Sequence, residues 1–235
     1  MEKLYEGKAK IVYQSNEPDK VVIYFKDEAT AFNAQKRDVI EGKGILNNKI
    51  SSIFFDLLEK NGIPTHFVKQ LSDREMLAYK TQIIPVEVVV RNLATGSIVK
   101  RLGIQEKTPF EPPLVEFYLK NDQLGDPIIC HQHILALNLA SEEEIETIKN
   151  LALRVNDVLK DFLKKLDIIL VDFKLEFGRK NDGTIVVADE ISPDTCRFWD
   201  AKTGERMDKD RFRLNLGDLS KFYEEVLRRL SYAKS

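Results

Sequence analysis

The chain has 235 residues, 43% hydrophobic and 31% charged, with a formal net charge of −2. This composition supports a globular core, as one large domain or two small lobes around a cleft, and the near-neutral balance argues against a general electrostatic binder of nucleic acid. The two cysteines, Cys130 and Cys196, form no CxxC pair, the first residues carry no signal-peptide h-region, and no run approaches the ~18 apolar residues of a membrane span, so a cytoplasmic protein with no membrane partner is expected.

Roughly the first 80 residues read as strands with one helix. Gly7 permits a close backbone approach, and Lys8 and Lys10 share a face of the strand that follows. Two ammonium groups beside a glycine turn suit nucleotide phosphates, and an ordinary surface turn is the plainer alternative; the Walker pattern is absent. Lys10–Tyr13 and Lys20–Phe25 are short β-branched or aromatic runs separated by a turn-like segment, Ser15 to Asp19. Apolar residues recur at three and four through Ile45–Leu58, which predicts a helix stopped by Gly62, and Thr65–Leu71 follows as a strand.

Ile83–Val90 is a dense β-branched run that predicts a buried strand. Glu87 and Arg91 share one face of it, so they either pair with each other or meet a ligand. Arg91 ends the strand, where a side chain can enter a cleft, and Thr95-Gly96-Ser97 then offers hydroxyls and N–H groups to an anion. The Pro-, Asn-, Asp- and Gly-rich stretch from Thr108 to Asp126 reads as a long ordered loop. Cys130, His131 and His133 have no second ligand cluster and do not make a zinc site.

Ser141 and Glu144 form a capping box before the stripe Ile145, Ile148, Ala152, Val155, Leu159, Phe162 and Leu163, the clearest helix. Next, Leu170–Phe177 and Thr184–Ala188 predict a hairpin around Asn181-Asp182-Gly183. Alternation puts Asp172, Lys174 and Glu176 on one face, about 6.5–7 Å apart in succession, and Val171, Phe173, Leu175 and Phe177 on the other. A solvated, salt-bridged face is the plain alternative. Against it, the apolar lead-in Ile168 to Leu170 suggests burial, and the partner strand ends in Asp189-Glu190. Pairing is expected to set Asp189 across from about Phe173 or Lys174, where Asp189 and Glu176 can share Mg²⁺, a hard cation that prefers oxygen ligands. Arg197 is placed to hold a phosphate or carboxylate bidentately, Trp199 to be core and Cys196 to be inert. Met207–Arg213 reads as a mainly solvated segment in which Lys209 or Arg213 can face a phosphate, and a last helix spans about Leu219–Leu230. The fold class is α+β, a strand-rich N-terminal lobe and a mixed C-terminal lobe with the active-site cleft between them.

Two long segments, Ile83–Ser97 and Leu170–Gly178, carry a strong resemblance to the SAICAR synthetase family of purine biosynthesis. Tyr5–Lys10, Gly42–Asn48, Lys120–Asp122 and Asp189–Asp194 support it, so it covers nearly the whole chain. The resemblance implies a kinase-like ATP-binding lobe over residues 1–82 and a substrate- and metal-binding lobe over 83–235. It also implies an ATP-dependent ligase that joins L-aspartate to the carboxylate of CAIR (carboxyaminoimidazole ribonucleotide) through an acyl phosphate, with Mg²⁺. On that basis Gly7, Lys8 and Lys10 contact ATP phosphates, and Val12 with the backbone around Gln82 and Ile84 contacts adenine. Glu176 and Asp189 hold the metal. Lys174, Asp172 and Arg91 serve the chemistry, Lys174 also contacting CAIR. Arg91, Ser97 and Arg197 bind CAIR, with Asp194 and Asn33, where some relatives carry an acid, as further substrate contacts. Family members are often dimers or larger, so a homo-oligomer is expected. The rival readings are another kinase-like phosphotransferase, which would turn over ATP without aspartate, and a nucleotide-binding module that has lost its chemistry; the presence of Lys8, Glu176 and Asp189 speaks against the second.

Overall fold

A computed structural model of the protein describes residues 2–233. Strands β1 (Lys3–Glu6), β2 (Lys10–Gln14), β3 (Lys20–Phe25), β4 (Glu28–Ala31) and β5 (Lys36–Val39) precede helix α1 (Lys43–Lys60). Then come β6 (Phe67–Gln70), β7 (Glu75–Tyr79), β8 (Gln82–Ile83), β9 (Val86–Leu93), α2 (Ser97–Leu102), β10 (Pro109–Leu119), β11 (Ile128–Ile129), α3 (His131–Ala136) and α4 (Glu142–Lys164). The remainder comprises β12 (Ile168–Arg179), β13 (Ile185–Ala188), β14 (Cys196–Asp200), α5 (Asp210–Arg213) and α6 (Leu219–Tyr232). No helix among the described residues is long and apolar enough to cross a membrane.

The strands form two main sheets. One has five strands in the order β1-β2-β3-β7-β6. The other has seven, in the order β11-β10-β9-β12-β13, with β14 and β8 also paired to β12. The hairpin β4–β5 stands apart. The two sheets are stitched just before β6, where the His66 N–H donates to the Val187 carbonyl at 2.8 Å and the Val187 N–H donates to the Pro64 carbonyl at 3.0 Å. A single apolar cluster runs through both, from Phe25 and Phe54 to Val88, Leu159 and Phe173.

Helix α1 contains the predicted span Ile45–Leu58 and begins two residues earlier, at Lys43. Asp27 accepts the N–H groups of Gly42 (3.2 Å) and Gly44 (2.9 Å), satisfying donors that the first turn leaves open. Gly44 has to be glycine, since a Cβ there would lie 2.3 Å from the Phe25 carbonyl oxygen. Helix α4 carries the expected capping box: the Glu144 N–H donates to Ser141 Oγ at 3.2 Å, and the Ser141 N–H to Glu144 Oε2 at 2.9 Å. Its buried stripe is the predicted one, with Leu151 and Asn156 added and Phe162 only partly buried.

The expectation of a loop from Thr108 to Asp126 is overturned. Eleven of those residues form β10, which pairs with β9 along most of its length. Pro112 and Pro113 have no amide hydrogen for a ladder, and they fall where the register shifts between Pro109 and Leu114, so they bulge the strand without ending it. From Leu114 onward the strand alternates in plain sight. Val115 and Phe117 pack on the core, while Glu116 and Tyr118 take the other face.

His66 sits at the stitch between the sheets, 4% exposed, with its ring 5.1 Å from that of Phe55. Burial lowers its pKa from 6.5 to about 4. Between those values the unfolded chain holds more protons, so this contribution to stability is full above pH 6.5 and is lost as pH falls towards 4. Urea titrations of the wild type should therefore show a loss of about 2 kcal/mol between pH 8 and pH 5 that His66→Gln does not share. Equal losses in the two proteins would mean that His66 is protonated in the fold.

Candidate active site

Strand register gathers the charged residues. Asp172 on β12 lies directly opposite Arg91 on β9 and, across its other edge, opposite Arg197 on β14. Residues paired this way point to the same face of a sheet. The Asp172 carboxylate therefore accepts from Arg91 Nη1 at 3.0 Å and from Arg197 Nη1 at 3.0 and 3.2 Å. Burial pushes the Asp172 carboxyl above its ordinary range, and the two guanidiniums oppose that push. Each arginine has a second acid: Glu116 for Arg91 (2.7 Å) and Asp210 for Arg197 (2.9 Å). Glu87 and Arg91 share a face as predicted, but they do not pair with each other; Glu87 accepts from Lys174 at 2.9 Å. Gly96 lets Arg197 lie close against the backbone, because a Cβ at φ 67° would stand 2.7 Å from Arg197 Nη2.

Further along β12, Glu176 accepts from Lys120 at 2.6 Å and from Lys174 at 3.3 Å. The hairpin register differs from the expected one. Ala188 pairs with Glu176, and pairing stops there because Asp189 turns out of the strand at φ 58°. Asp189 thus lies just past Glu176 rather than opposite Phe173 or Lys174. It accepts from Lys10 at 2.7 Å, and Lys10 also meets the buried Glu190, whose other oxygen takes the Ser192 hydroxyl at 2.5 Å. Burial works against the charge on Asp189, yet Lys10 and Lys174 hold its carboxyl far below the usual range. Burial likewise works against the Lys174 ammonium, and Glu176, Asp189 and Glu87 keep its pKa well above the ordinary value.

Arg91, Asp172, Lys174, Glu176, Asp189 and Arg197 line one cleft of about 1340 Å³. At its five-stranded end, Gly7 closes a turn onto the Lys10 carbonyl at 2.9 Å, and Lys8 reaches over the cleft to Asp122 at 2.8 Å. Val12, Val21, Ile23 and Ile83 make an apolar wall, with Tyr79, Lys80 and Thr81 beside it. Gln82 and Ile84 are not part of that lining. Ile84 is fully buried in the core, and its N–H is already given to the Phe177 carbonyl at 2.9 Å. Alternation accounts for this: one residue of the pair Ile83–Ile84 faces the cleft and the other the core.

At the other end Asn33 lies at the tip of the β4–β5 hairpin with φ 54°, lining the cleft. Ser97 is exposed as the first residue of α2, beside Gly96 and outside the lining. Asp194 does border the cleft, but its two oxygens are taken by Lys43 and by the Tyr223 hydroxyl, both at 2.6 Å, which makes it an anchor for the segment after β13. Cys196 and Trp199 are buried as expected, and burial pushes the Cys196 thiol up.

Met207–Arg213 is not a solvated segment. Asp208, Asp210 and Arg211 are buried there. Asp208 accepts the N–H groups of Phe198 (2.9 Å) and Asp210 (2.8 Å), and burial pushes its pKa up to about 7. The alternation of Glu116, Tyr118 and Lys120 against Val115, Phe117 and Leu119 was the signal that would have added Lys120 and Glu116 to the site. Glu190 was marked only as half of the acid pair that ends the hairpin, and no side-chain pattern marks Lys43. Among the described residues, the three metal-type ligands found within 4.8 Å of one another are His131, Glu142 and Glu146, which lie outside the cleft, with His131 paired to Glu142 at 2.8 Å. Glu176 and Asp189 can supply two oxygens to a cation, whose remaining ligands would come from phosphate and water.

A cleft whose inner wall alternates ammonium, guanidinium and carboxylate groups, fed by two sheets, defines an enzyme for polyanionic ligands. The SAICAR synthetase family model matches residues 3–230. The phosphoribosylaminoimidazole-succinocarboxamide synthase of Persephonella marina is 70% identical over 229 residues, covering 97% of this chain and 96% of that protein. That of Coprothermobacter proteolyticus is 58% identical over 97% and 96%. The crystal structure of the Ehrlichia chaffeensis enzyme superimposes with a TM-score of 0.96 at 50% identity, covering 98% of both chains. A SAICAR synthetase in complex with ADP gives 0.93 at 50% identity over 96% of each. The chain belongs to the SAICAR synthetase family.

Removing one partner of a buried ion pair strands the others. Asp172→Asn is therefore expected to cost about 3 kcal/mol in urea unfolding, because no charge is left between the two guanidiniums and each keeps only its outer acid, Glu116 or Asp210. A cost below about 0.5 kcal/mol would mean that Glu116 and Asp210 suffice to neutralise the arginines.

Proposed function

We propose that this chain joins L-aspartate to CAIR, with ATP converted to ADP and phosphate, and that the cleft just described is where it does so. Full-length similarity to SAICAR synthetases is the observation that carries the reading. A nucleotide lobe of residues 1–82 and a substrate lobe of residues 83–235 then face each other across the cleft. Val12 and the other apolar wall residues suit the adenine ring, and Gly7, Lys8 and Lys10 suit its phosphates. The relative crystallised with ADP supports a nucleotide site in this fold.

In the first step a carboxylate oxygen of CAIR attacks the γ-phosphorus, the bond to the β-phosphate oxygen breaks, and ADP departs from the acyl phosphate. In the second the aspartate amine attacks the acyl carbon, the bond to the phosphate oxygen breaks, and the nitrogen gives up a proton as the amide forms. Lys174 offers a fixed positive charge to the transferring phosphoryl group, since its flanking acids keep it protonated. Arg91 and Arg197 present planar forks to the phosphate and carboxylate of CAIR, and Asp172 sets their orientation. Asn33, in the lining, can add a polar contact to the same substrate, whereas Ser97 could do so only from outside the lining, beside Gly96.

The oxygen donors Glu176 and Asp189 fit Mg²⁺, and each now neutralises a lysine that an incoming phosphate would engage instead. When bound, that ion screens the charge of the phosphates and of the transferring group. We also infer, on the strength of the family, that the protein works in the cytoplasm as a homo-oligomer, dimer or larger.

Mixing protein, Mg-ATP, CAIR and aspartate and following ADP, with each component omitted in turn, checks the assignment. ADP formation should need all of them; turnover without aspartate would leave a kinase-like phosphotransferase instead. Asp189→Asn should lower kcat by about 100-fold or more, the loss of several kcal/mol of charge stabilisation. Near-normal turnover in that variant would remove Asp189 from the metal.

A further inference from the structure

Most cations on the inner wall of the cleft already have an acid. Lys10, Arg91, Lys120, Lys174 and Arg197 each meet a carboxylate within 4.0 Å. Lys209 lines the same cleft, yet its ammonium makes no ion pair or side-chain hydrogen bond among the described residues. Its backbone N–H donates to the Pro193 carbonyl at 2.9 Å, which holds it at the base of the substrate end. Burial lowers its pKa to about 8, with Asp194 raising it and Arg213 and Lys43 lowering it.

Arg213 is four residues on and also lines the cleft. Residues so spaced in a helical turn share a face, and like charges there repel. Arg213 gives Nη1 to Asp210 at 2.8 Å, and Asp210 in turn holds Arg197. The pair therefore stands beside the arginine end of the cleft, separated from Arg197 by that shared acid. The hairpin that carries Asn33 is fixed over the same corner: Lys36 donates to Asn215 at 2.6 Å and to the Phe212 carbonyl, and Ala29 and Ala31 pack with Phe212. A partly buried ammonium left without an acid beside a second cation is costly unless an anion enters.

We propose that Lys209 and Arg213 bind a carboxylate of the incoming amino acid and so set the enzyme's demand for a dicarboxylic one. This inference rests on the reaction proposed above. That reaction has a second anionic substrate, with two carboxylates and an amine, and Arg91 and Arg197 are already matched to the first.

Steady-state kinetics of Lys209→Met and Arg213→Gln test it, each substrate being varied in turn. The expected result is a KM for aspartate raised ~10-fold or more, with those for CAIR and ATP within about two-fold of wild type. Lys209→Arg should recover most of the aspartate affinity. Succinate, a dicarboxylate without the amine, should raise the melting temperature of the wild type and fail to do so for Lys209→Met. An unchanged KM for aspartate overturns the proposal, and so does a KM for CAIR that rises as much as that for aspartate. If Lys209→Met does not fold, the same comparison with Lys209→Gln decides. A wild type that forms no ADP in response to aspartate would instead overturn the underlying reaction.

Discussion

Asp172 holds two arginines that arrive from strands on opposite sides of its own. That contact depends on β12 being paired at once with β9 and β14 in registers that put Arg91 and Arg197 directly across from it. A shift of one residue in either pairing would turn an arginine into the core. The apolar residues of β12 prevent that shift, because Phe173, Leu175 and Phe177 on its other face are all within 1% of complete burial. Packing on one face of the strand thus enforces the charge geometry on the other. Such a triad adds little net stability over an apolar core, but it is expensive to break, so it specifies one arrangement.

The same logic extends along the cleft. Lys10 is paired with Asp189, Lys120 with Glu176 and Lys174 with Glu87. Charges that would repel one another or demand water are compensated internally before any ligand arrives. On the function proposed above, a polyphosphate and its cation would enter by exchange, phosphate oxygens taking over the lysines and the metal the freed carboxylates. Exchange of partners leaves the number of buried charge contacts nearly constant, which keeps the desolvation cost of binding low. Among the described cleft residues, Lys209 stands outside this compensation.

Regular patterns were readable. The alternation in Leu170–Phe177, the capping box at Ser141 and Glu144 and the three-and-four spacing in α1 and α4 each express a local rule that packing did not override. The charged face of β12 was visible for the same reason. The misreadings have equally local causes. Pro112 and Pro113 hid a strand whose second half alternates cleanly, and with it Glu116 and Lys120. Dense charge in Met207–Arg213 looked like solvent exposure, whereas buried Asp208 accepts backbone N–H groups, Asp210 accepts from Arg197 and Arg213, and Arg211 donates to the Leu216 and Gly217 carbonyls. A slip of one or two residues in counting the hairpin, together with the turn of Asp189 out of the strand at φ 58°, misplaced Asp189.

The α+β class, the three long helices, the β12–β13 hairpin and the charged face of β12 were legible in the sequence alone, because these follow from periods of 2 and 3.6 along the chain. Its two long motifs were enough to point to the family. Only the tertiary structure decided which acid each lysine and arginine meets. Lys10 with Asp189, Lys43 with Asp194 and Lys174 with Glu87 join residues 87 to 179 positions apart, and nothing in a local pattern encodes that pairing. It is set by sheet register and by the order in which strands lie side by side, both of which depend on how the whole core packs.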